Sequence, residues 1–148
     1  MDKDIYIKNR QASFKYELLE KFEAGIVLSG SEVKSIRHGK VSINEAYCYL
    51  SKDELFIKSM HIAIYENAGF ASHEPIQDRK LLLHRNELRK IEKKLKDESI
   101  TLIPKALYFN KNGYAKLEIA LARGKKLFDK RQDIKQRELK REIDRGLK

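Results

Sequence analysis

Residues 99–123, SITLIPKALYFNKNGYAKLEIALAR, contain two alternating runs of apolar and polar residues on either side of the tetrapeptide NKNG. Alternation of this kind places every second side chain on one face, which is typical of a strand that buries one side. Asn112 and Gly113 can supply the positive φ angles of a tight turn. The segment therefore predicts a long antiparallel hairpin.

Two earlier regions also predict strands. Residues 14–28, FKYELLEKFEAGIVL, predict one long strand whose inward face shifts around Leu19 and which bends near Gly25. Residues 41–50 and 54–65 are rich in β-branched and aromatic residues and flank the turn-like SKDE. They predict a second hairpin.

Two short helices are predicted between the strands. Ser31 can cap a helix that carries Val33 and Ile36 at helical spacing, and Gly39 can end it. The second predicted helix runs from about Arg85 to Lys96, because its apolar residues recur at helical spacing among Glu and Lys. The residues on its apolar face are Leu88, Ile91 and Leu95.

These elements together predict a mainly β fold with short helices. Residues 66–80 contain Gly and Pro without a sustained period and predict a loop. Five or six antiparallel strands, with one helix inserted before the last pair, favour a small closed or partly closed barrel of the oligonucleotide-binding (OB) type. A ferredoxin-like sandwich is the alternative. We expect one domain over residues 1–123, followed by a tail over 124–148.

The tail differs from the body in composition. Of the 26 residues from Arg123 to Lys148, eleven are Lys or Arg and five are Asp or Glu, and apolar residues are sparse. An apolar stripe this thin does not dock firmly on a folded body. We therefore expect the tail to be disordered when free and to become helical on a partner.

The charge of the whole chain indicates a polyanionic partner. Lys and Arg number 32 against 22 Asp and Glu, a formal net charge of +10. Such an excess suits nucleic acid, because Lys and Arg that neutralise phosphates release condensed counterions. A membrane is disfavoured, since no run approaches the length of a span. Cys48 is the only cysteine, so the sequence offers no internal disulfide, and we expect a cytoplasmic protein.

The residue patterns typical of enzymes and metal sites are missing from the sequence. The four histidines lie in different segments without metal-ligand spacing, and no phosphate loop, nucleophile elbow or paired-carboxylate pattern is present. We therefore expect no catalysis, no metal and no cofactor. The tyrosines and phenylalanines of the strands could stack on bases, but they are more often core or cross-strand pairs, and none is assigned.

Four words in the sequence carry a family resemblance. They are NRQASFKYELLEKFEAGIVLSGSEVKSIRHGK from residue 9, RKLLLH from 79, TLIPKALYF from 101 and LARGKKLFDKR from 121. In this order they are highly specific, and the chain resembles the small protein B family, the SsrA-binding proteins of bacterial trans-translation. The resemblance runs from about Asn9 to Arg131 and continues more loosely along the tail.

The resemblance implies an OB barrel with a flexible basic tail that works as a monomer without catalysis, metal or cofactor. Family members bind the tRNA-like domain of transfer-messenger RNA (tmRNA, or SsrA RNA). With elongation factor Tu they deliver the alanyl-charged tmRNA to stalled 70S ribosomes for ribosome rescue and nascent-chain tagging. The tail is implied to read the decoding centre of the 16S ribosomal RNA and the empty message channel.

Site residues follow from the same motifs. Asn9, Glu23 and Leu82 match family positions that contact RNA, although from the residues alone they could be a turn residue, a salt-bridge partner and a core residue. The basic residues expected to contact phosphate or ribose around them are Arg10, Lys34, Arg37, Arg79 and Lys80. The tail residues expected to contact the ribosome are Gly124, Lys125, Lys126, Phe128, Asp129, Lys130, Arg131 and Leu147.

The chain departs from the family pattern at three places. Gln77 stands where Arg is common, Phe128 stands where Tyr or His is frequent, and the late apolar pair is only partly met by Gly146 and Leu147. Composition alone also permits a structural ribosomal protein with an OB core and a basic extension. A nuclease is a third possibility, for which the sequence offers no catalytic constellation.

Overall fold

The computed structural model describes residues 5–64, 73–125 and 137–139. Residues 137–139 are helical, and the other described residues contain nine strands and three helices. In chain order they are β1 (Tyr6–Lys8), α1 (Ala12–Lys15), β2 (Tyr16–Ile26), α2 (Gly30–Arg37), β3 (Val41–Ser42), β4 (Tyr47–Ser51), β5 (Glu54–Lys58), β6 (His61–Ile62), β7 (Arg79–Leu82), α3 (Arg85–Leu95), β8 (Ile100–Phe109) and β9 (Ala115–Gly124).

Six of the strands form a closed antiparallel ring. The hydrogen-bonded order is β8-β4-β5-β7-β2-β9, and β9 pairs again with β8, while β1 adds to the free edge of β8 and β3 pairs with β6 in a separate two-stranded sheet. Closure of this kind is the barrel that an OB fold requires. The predicted OB-type, mainly β fold with one inserted helix is therefore confirmed, and the ferredoxin-like alternative is wrong.

The core fills the interior of this ring. Its fully buried members come from every wall of the barrel and include Ile57, Leu81, Leu102, Leu117 and Ile119. Helix α3 contributes Ile91, which is also fully buried, while Leu88 and Leu95 pack beside it. The predicted second helix and its apolar face are therefore confirmed.

The β8–β9 hairpin pairs over its whole length, as the opening segment predicts. Its register runs from Ile100 opposite Arg123 to Phe109 opposite Ala115, with an irregularity between Pro104 and Ala106. Proline has no N–H to give to the ladder, so a bulge at this point keeps the sheet intact. In the turn only Gly113, with φ of 84°, adopts a positive φ, so the positive φ predicted for Asn112 is wrong.

Strand β2 differs from its prediction in two respects. Residues Ala12–Lys15 form helix α1, so Phe14 and Lys15 precede the strand, which begins at Tyr16. The face shift around Leu19 is confirmed as a bulge between Leu18 and Glu20 in the pairing with β9. No bulge lies at Gly25, which pairs in register with Leu82.

Helix α2 begins two residues earlier than predicted. Its N-cap is Ser29, whose hydroxyl accepts from the Glu32 N–H at 3.3 Å, while the Glu32 carboxylate accepts from the Ser29 N–H at 2.8 Å. This reciprocal pair is a capping box. Ser31 is instead buried and lies 2.8 Å from His73 Nδ1. Gly39 follows the helix end with φ of 74°, as a terminating glycine does.

The predicted hairpin of residues 41–65 is confirmed in its central part, where β4 pairs with β5 across a turn at Lys52 and Asp53. The predicted loop is wrong at its end. Arg79 and Lys80 belong to β7, which lies between β5 and β2 and completes the ring. Without this four-residue strand the barrel would remain open.

Candidate nucleic-acid interface

Glu23 and Leu82 come from separate motifs and lie close together on the outside of the barrel. Leu82 on β7 is the register partner of Gly25 on β2, and Glu23 is two residues before Gly25 on the same face of that strand. Both side chains are exposed, Leu82 to 52%. Leu82 is therefore not a core residue, and an exposed leucine beside a carboxylate suits contact with a base.

Tyr108 on β8 fixes the Glu23 carboxylate. Its hydroxyl donates a hydrogen bond to Glu23 Oε2 across strand β9, which lies between the two residues. Partial burial and this bond to a carboxylate raise the pKa of Tyr108 well above its usual range. Tyr108 therefore stays a donor to one carboxylate oxygen of Glu23. The second carboxylate oxygen takes no part in this hydrogen bond.

Tyr6 extends the same surface from strand β1. Its ring stacks on Tyr108 with a centroid separation of 5.8 Å and an interplanar angle of 14°. Tyr6 remains 57% exposed. Neither tyrosine was singled out from the sequence, because a strand tyrosine has no motif of its own. The signal that would have found them is the alternation of inward and outward side chains in YIK and ALYF. Because Leu107 is buried, its neighbour Tyr108 points outward.

Asn9 is buried, and its side chain is used inside the fold. Its Nδ2 donates to the carbonyl of Pro104 at 2.8 Å, and its Oδ1 accepts from the Gln11 N–H at 3.2 Å. Its backbone N–H donates to the Lys105 carbonyl at 2.8 Å. This side chain ties the start of α1 to the bulge of β8. Direct contact between Asn9 and RNA stays a prediction, and the geometry favours an indirect role.

Arg79 also lies inside the protein, with 3% of its surface exposed. Its guanidinium pairs with the buried carboxylate of Glu32 and donates to the carbonyls of Met60 and Gln77 at 2.9 and 3.0 Å. Two further donor contacts at 3.2 Å reach the carbonyls of Glu74 and Pro75. In this arrangement Arg79 holds the 74–77 segment against α2 and offers no group to a phosphate.

The Glu32 carboxylate is ionised in this pair. Burial opposes its ionisation, but the hydrogen bonds from the Ser29 backbone, the Arg79 guanidinium and the Gln77 amide outweigh that effect and lower the pKa of Glu32. Gln77, which departs from the family pattern, therefore has a structural contact at 3.2 Å to this carboxylate. The pair fixes where β7 begins and hence where Leu82 projects.

The other predicted basic residues are more accessible. Lys80 is exposed and its ammonium pairs with Glu54 on the neighbouring strand β5. Arg10 is exposed, and its backbone N–H donates to Asn44 Oδ1 at 3.3 Å. Lys34 is exposed on α2, and the Arg37 guanidinium lies 4.2 Å from the centre of the Phe109 ring, where a cation–π contact holds it. Their contacts with RNA stay predictions.

Two parts of the predicted ribosome-binding tail lie among the described residues, 124–125 and 137–139. Gly124 pairs with Tyr16 at the end of β9, and the Lys125 N–H donates to the Lys15 carbonyl at 3.0 Å. Further along, the Arg137 guanidinium lies 5.2 Å from the centre of the Phe14 ring. The predicted tail residues outside the described part are Lys126, Phe128, Asp129, Lys130, Arg131 and Leu147.

The described residues carry neither a metal-binding cluster nor a membrane-spanning helix. No group of three or more His, Cys, Asp or Glu residues in this part of the chain is arranged to hold a metal ion. No helix within residues 5–64, 73–125 and 137–139 is long and apolar enough to cross a membrane. Burial raises the pKa of the Cys48 thiol well above its usual range, so this cysteine is an inert core residue.

Comparison with known families gives the same answer as the motifs. Residues 6–148 match the family model described as SmpB protein. The chain belongs to the SmpB family. The SmpB family consists of RNA-binding factors and not of enzymes, so the prediction that the chain is not an enzyme is confirmed.

Individual relatives are similar over nearly their whole length. An SsrA-binding protein of Cytophaga hutchinsonii is 52% identical over 97% of this chain and 94% of that protein. The SsrA-binding protein of Christiangramia forsetii is 51% identical over 98% of this chain and 92% of its own length. A solved structure described as "tmRNA-SmpB: a journey to the center of the bacterial ribosome" is 45% identical, with a TM-score of 0.70, over 83% of this chain and 86% of that one.

Proposed function

We propose that this SmpB-family chain binds the tRNA-like domain of tmRNA and delivers it to stalled ribosomes for trans-translation. Relatives at about half identity are named SsrA-binding proteins, and the similar solved structure concerns tmRNA, SmpB and the bacterial ribosome. The net charge of +10 supports a polyanionic partner. The work takes place in the cytoplasm, where translation occurs.

One observation carries the proposal at the level of residues. Glu23 and Leu82 are 59 positions apart in the sequence, yet both project from one outer face on adjacent strands. A carboxylate that accepts from base amino groups and a leucine that contacts an unstacked base form a site for an RNA loop.

The barrel and the tail divide the work. Residues 1–123 hold tmRNA, with Arg10, Lys34, Arg37 and Lys80 supplying phosphate or ribose contacts, and Asn9 and Arg79 act from inside the fold. Residues 124–148 read the decoding centre and the empty message channel. The chain acts as a monomer and meets elongation factor Tu on alanyl-tmRNA.

Within the tail, the cationic residues meet ribosomal RNA phosphates and the aromatic ring stacks on a decoding-centre base. Gly124 is the last residue of β9, where the tail leaves the barrel, and Leu147 supplies a late apolar contact. Asp129 completes the motif between the ring and the cations. The proposed phosphate contacts are Lys125, Lys126, Lys130 and Arg131, and the stacking ring is Phe128.

Binding to the tRNA-like domain tests the barrel site. We expect Glu23→Gln and Leu82→Ala each to weaken affinity roughly tenfold, because a specific base contact contributes about 1–3 kcal/mol. Leu19→Ala is the matched control. Leu19 on β2 is an exposed leucine like Leu82, at 42%, but it lies at the bulge away from Leu82. Equal losses in all three variants would contradict the proposed site.

Truncation after Lys125 tests the tail. This cut leaves the Gly124–Tyr16 pair and the Lys125–Lys15 hydrogen bond in place, so the barrel keeps its last strand. We expect near-normal tmRNA affinity and loss of tagging on ribosomes stalled without a stop codon. If the truncated chain loses most of its tmRNA affinity, the division of labour is wrong.

A salt wash separates this function from that of a structural ribosomal protein. A delivery factor held by phosphate contacts should leave ribosomes as salt is raised, because counterion release weakens it. A permanent component should remain with the subunits. The full chain is added to purified ribosomes with and without tmRNA. Sedimentation at rising salt then measures how much of it stays with the ribosomes in each case.

A further inference from the structure

Helix α1 ends in a phenylalanine that the barrel core does not use. Among the described residues, Phe14 belongs to neither of the two hydrophobic clusters, although Ala12 of the same helix is buried in the smaller one. The Phe14 side chain is only partly buried. Lys15 is the last residue of α1, and the last carbonyls of a helix have no partner within it. The end of α1 therefore offers an aromatic ring and a hydrogen-bond acceptor side by side.

Two parts of the C-terminal tail contact this end of α1. The Lys125 N–H donates to the Lys15 carbonyl at 3.0 Å. The guanidinium carbon of Arg137 lies 5.2 Å from the centre of the Phe14 ring. A guanidinium within about 6 Å of an aromatic centroid is attracted by the negative charge on the face of the ring. Neighbouring residues of α1 thus hold both contacts.

The contact at Arg137 does not follow from the contact at Lys125. These two residues are twelve positions apart, and a chain of that length can span roughly 40 Å when extended. The hydrogen bond at Lys15 therefore does not by itself bring Arg137 to Phe14. Residues 137–139 are helical, and Leu139 in that turn is 58% exposed. Of these three residues, Arg137 therefore makes the contact with the barrel.

The end of α1 lies far from the exposed pair Glu23 and Leu82. Strand β2 begins at Tyr16, directly after α1, and Glu23 follows seven residues later. At about 3.3 Å per residue, this separation is roughly 20 Å along the strand. Glu23 and Leu82 are both exposed in the structure in which Arg137 contacts Phe14. A tail held at α1 therefore leaves that pair accessible.

We propose that the end of α1 is a docking surface for the chain's own tail, where Phe14 holds Arg137 and the Lys15 carbonyl holds Lys125. The docked tail rests there when no ribosome is present, and the ribosome supplies the contacts that replace Phe14. The replacement by the ribosome rests on the proposed function, whereas docking is a property of the chain alone. The composition of the tail predicts disorder because it contains no trace of an aromatic ring 123 positions away.

A spin label on the tail measures docking in the full-length chain without RNA. Leu139→Cys provides the attachment point, because Leu139 is exposed and the native thiol of Cys48 is buried and unreactive. In NMR spectra the label should broaden the amide signals of Ala12 and Lys15 more than that of Gly113. Gly113 lies at the far end of the β8–β9 hairpin, roughly 30 Å along β9. Equal broadening at both ends overturns the docking.

Two variants of the labelled chain test the groups in contact. Phe14→Ala and Arg137→Gln should each lower the ratio of docked to undocked chains about two- to fivefold, the range for an exposed cation–π contact. Phe14→Tyr keeps an aromatic ring and should dock like the unchanged chain. Tyr114→Ala is the matched control, because it removes a ring that is 68% exposed in the β8–β9 turn. If Phe14→Ala has no more effect than Tyr114→Ala, docking on the ring is overturned.

A further variant separates the contact from the net charge of the tail. Lys140→Gln removes one positive charge from the tail, as Arg137→Gln does. We expect Lys140→Gln to leave the ratio of docked to undocked chains unchanged, because the contact with Phe14 belongs to Arg137. An equal loss in both variants would mean that net charge alone holds the tail, and it would overturn the specific contact.

An in vitro transcript of the tRNA-like domain separates docking from the proposed function. At saturation the transcript should leave the broadening at Ala12 and Lys15 unchanged, because the docked tail leaves Glu23 and Leu82 accessible. Loss of the broadening would overturn this placement of the tail. If the transcript does not bind, the proposed function fails, while docking measured without RNA stands. Circular-dichroism melting of Phe14→Ala, expected within a few degrees of the unchanged chain, excludes unfolding as the cause.

Discussion

The carboxylate of Glu32 and the guanidinium of Arg79 form an ion pair inside the protein, with side-chain exposures of 3% and 2%. They are 47 positions apart and join the first turn of α2 to the start of β7. Four backbone carbonyls complete the donor bonds of the arginine. This pair therefore fixes the position of α2, which carries Lys34 and Arg37, relative to β7, which carries Leu82.

Removal of one partner should destabilise the fold strongly. We expect Arg79→Ala to lower the free energy of unfolding by about 3–5 kcal/mol, because it leaves the buried Glu32 carboxylate without its charged partner and removes the arginine's donors from several carbonyls. Urea unfolding followed by circular dichroism measures this. Lys80→Ala is the adjacent control: its ion pair with Glu54 is about half exposed and should contribute less than about 1 kcal/mol. Similar losses in both variants would contradict this account.

The same pair makes stability depend on pH in the acid range. The folded-state pKa of Glu32 lies below its ordinary value of 4.5, so its stabilisation is fully present above about pH 4.5 and is lost as pH falls through the folded pKa. We expect the stability difference between the unchanged chain and Glu32→Gln to shrink from pH 6 to pH 3. Urea midpoints at each pH measure it, and a constant difference would show that Glu32 does not titrate in this way.

Alanine substitution of the two glycines at the ends of α2 should change the stability of the fold in opposite ways. Gly39 has φ of 74° and open space around its Cα, so Gly39→Ala should cost about 1–2 kcal/mol from backbone strain alone. Gly30 is the first residue of the helix, also has space for a Cβ and has no positive φ. Gly30→Ala should therefore be neutral or stabilise the fold by up to about 1 kcal/mol. Thermal unfolding of the pair checks the contrast, and a loss at Gly30 would be unexpected.

Ser29 should matter to α2 as its N-cap. We expect Ser29→Ala to cost about 1 kcal/mol, because the Glu32 N–H loses its acceptor and the capping box is broken. Ser29→Asp keeps an acceptor and should retain most of the stability. The amide exchange rate at Glu32 measures the local effect, and unchanged protection in Ser29→Ala would rule out the cap.

Local patterns in the sequence were sufficient for the longest elements. Two alternating runs around a glycine turn predicted β8 and β9, because the period of a strand appears directly in its side chains. The apolar face of α3 and the shift around Leu19 were readable for the same reason. The prediction that Glu23 and Leu82 contact RNA came from the family motifs, since an exposed carboxylate or leucine has no local signature of function.

Other features have no local signature. Strand β7 is only four residues long and follows a segment rich in turn residues, so its pattern reads as the end of a loop. Arg79 appears in a basic cluster, and only its contact with Glu32 reveals that it is buried. Asn9 similarly resembles a turn residue until the bulge of β8 brings the Pro104 carbonyl to it.

The sequence by itself determined the family and the mainly β class, because these depend on residue order and short periods, and its motifs predict Glu23 and Leu82 as RNA contacts. The tertiary structure decided which charges are buried and which side chains share a surface. Register between strands joins Leu82 to Tyr6 across five strands, and no property of either residue encodes the other. Closure of the barrel depends on pairing between strands far apart in the sequence, and only this closure brings those residues into one row.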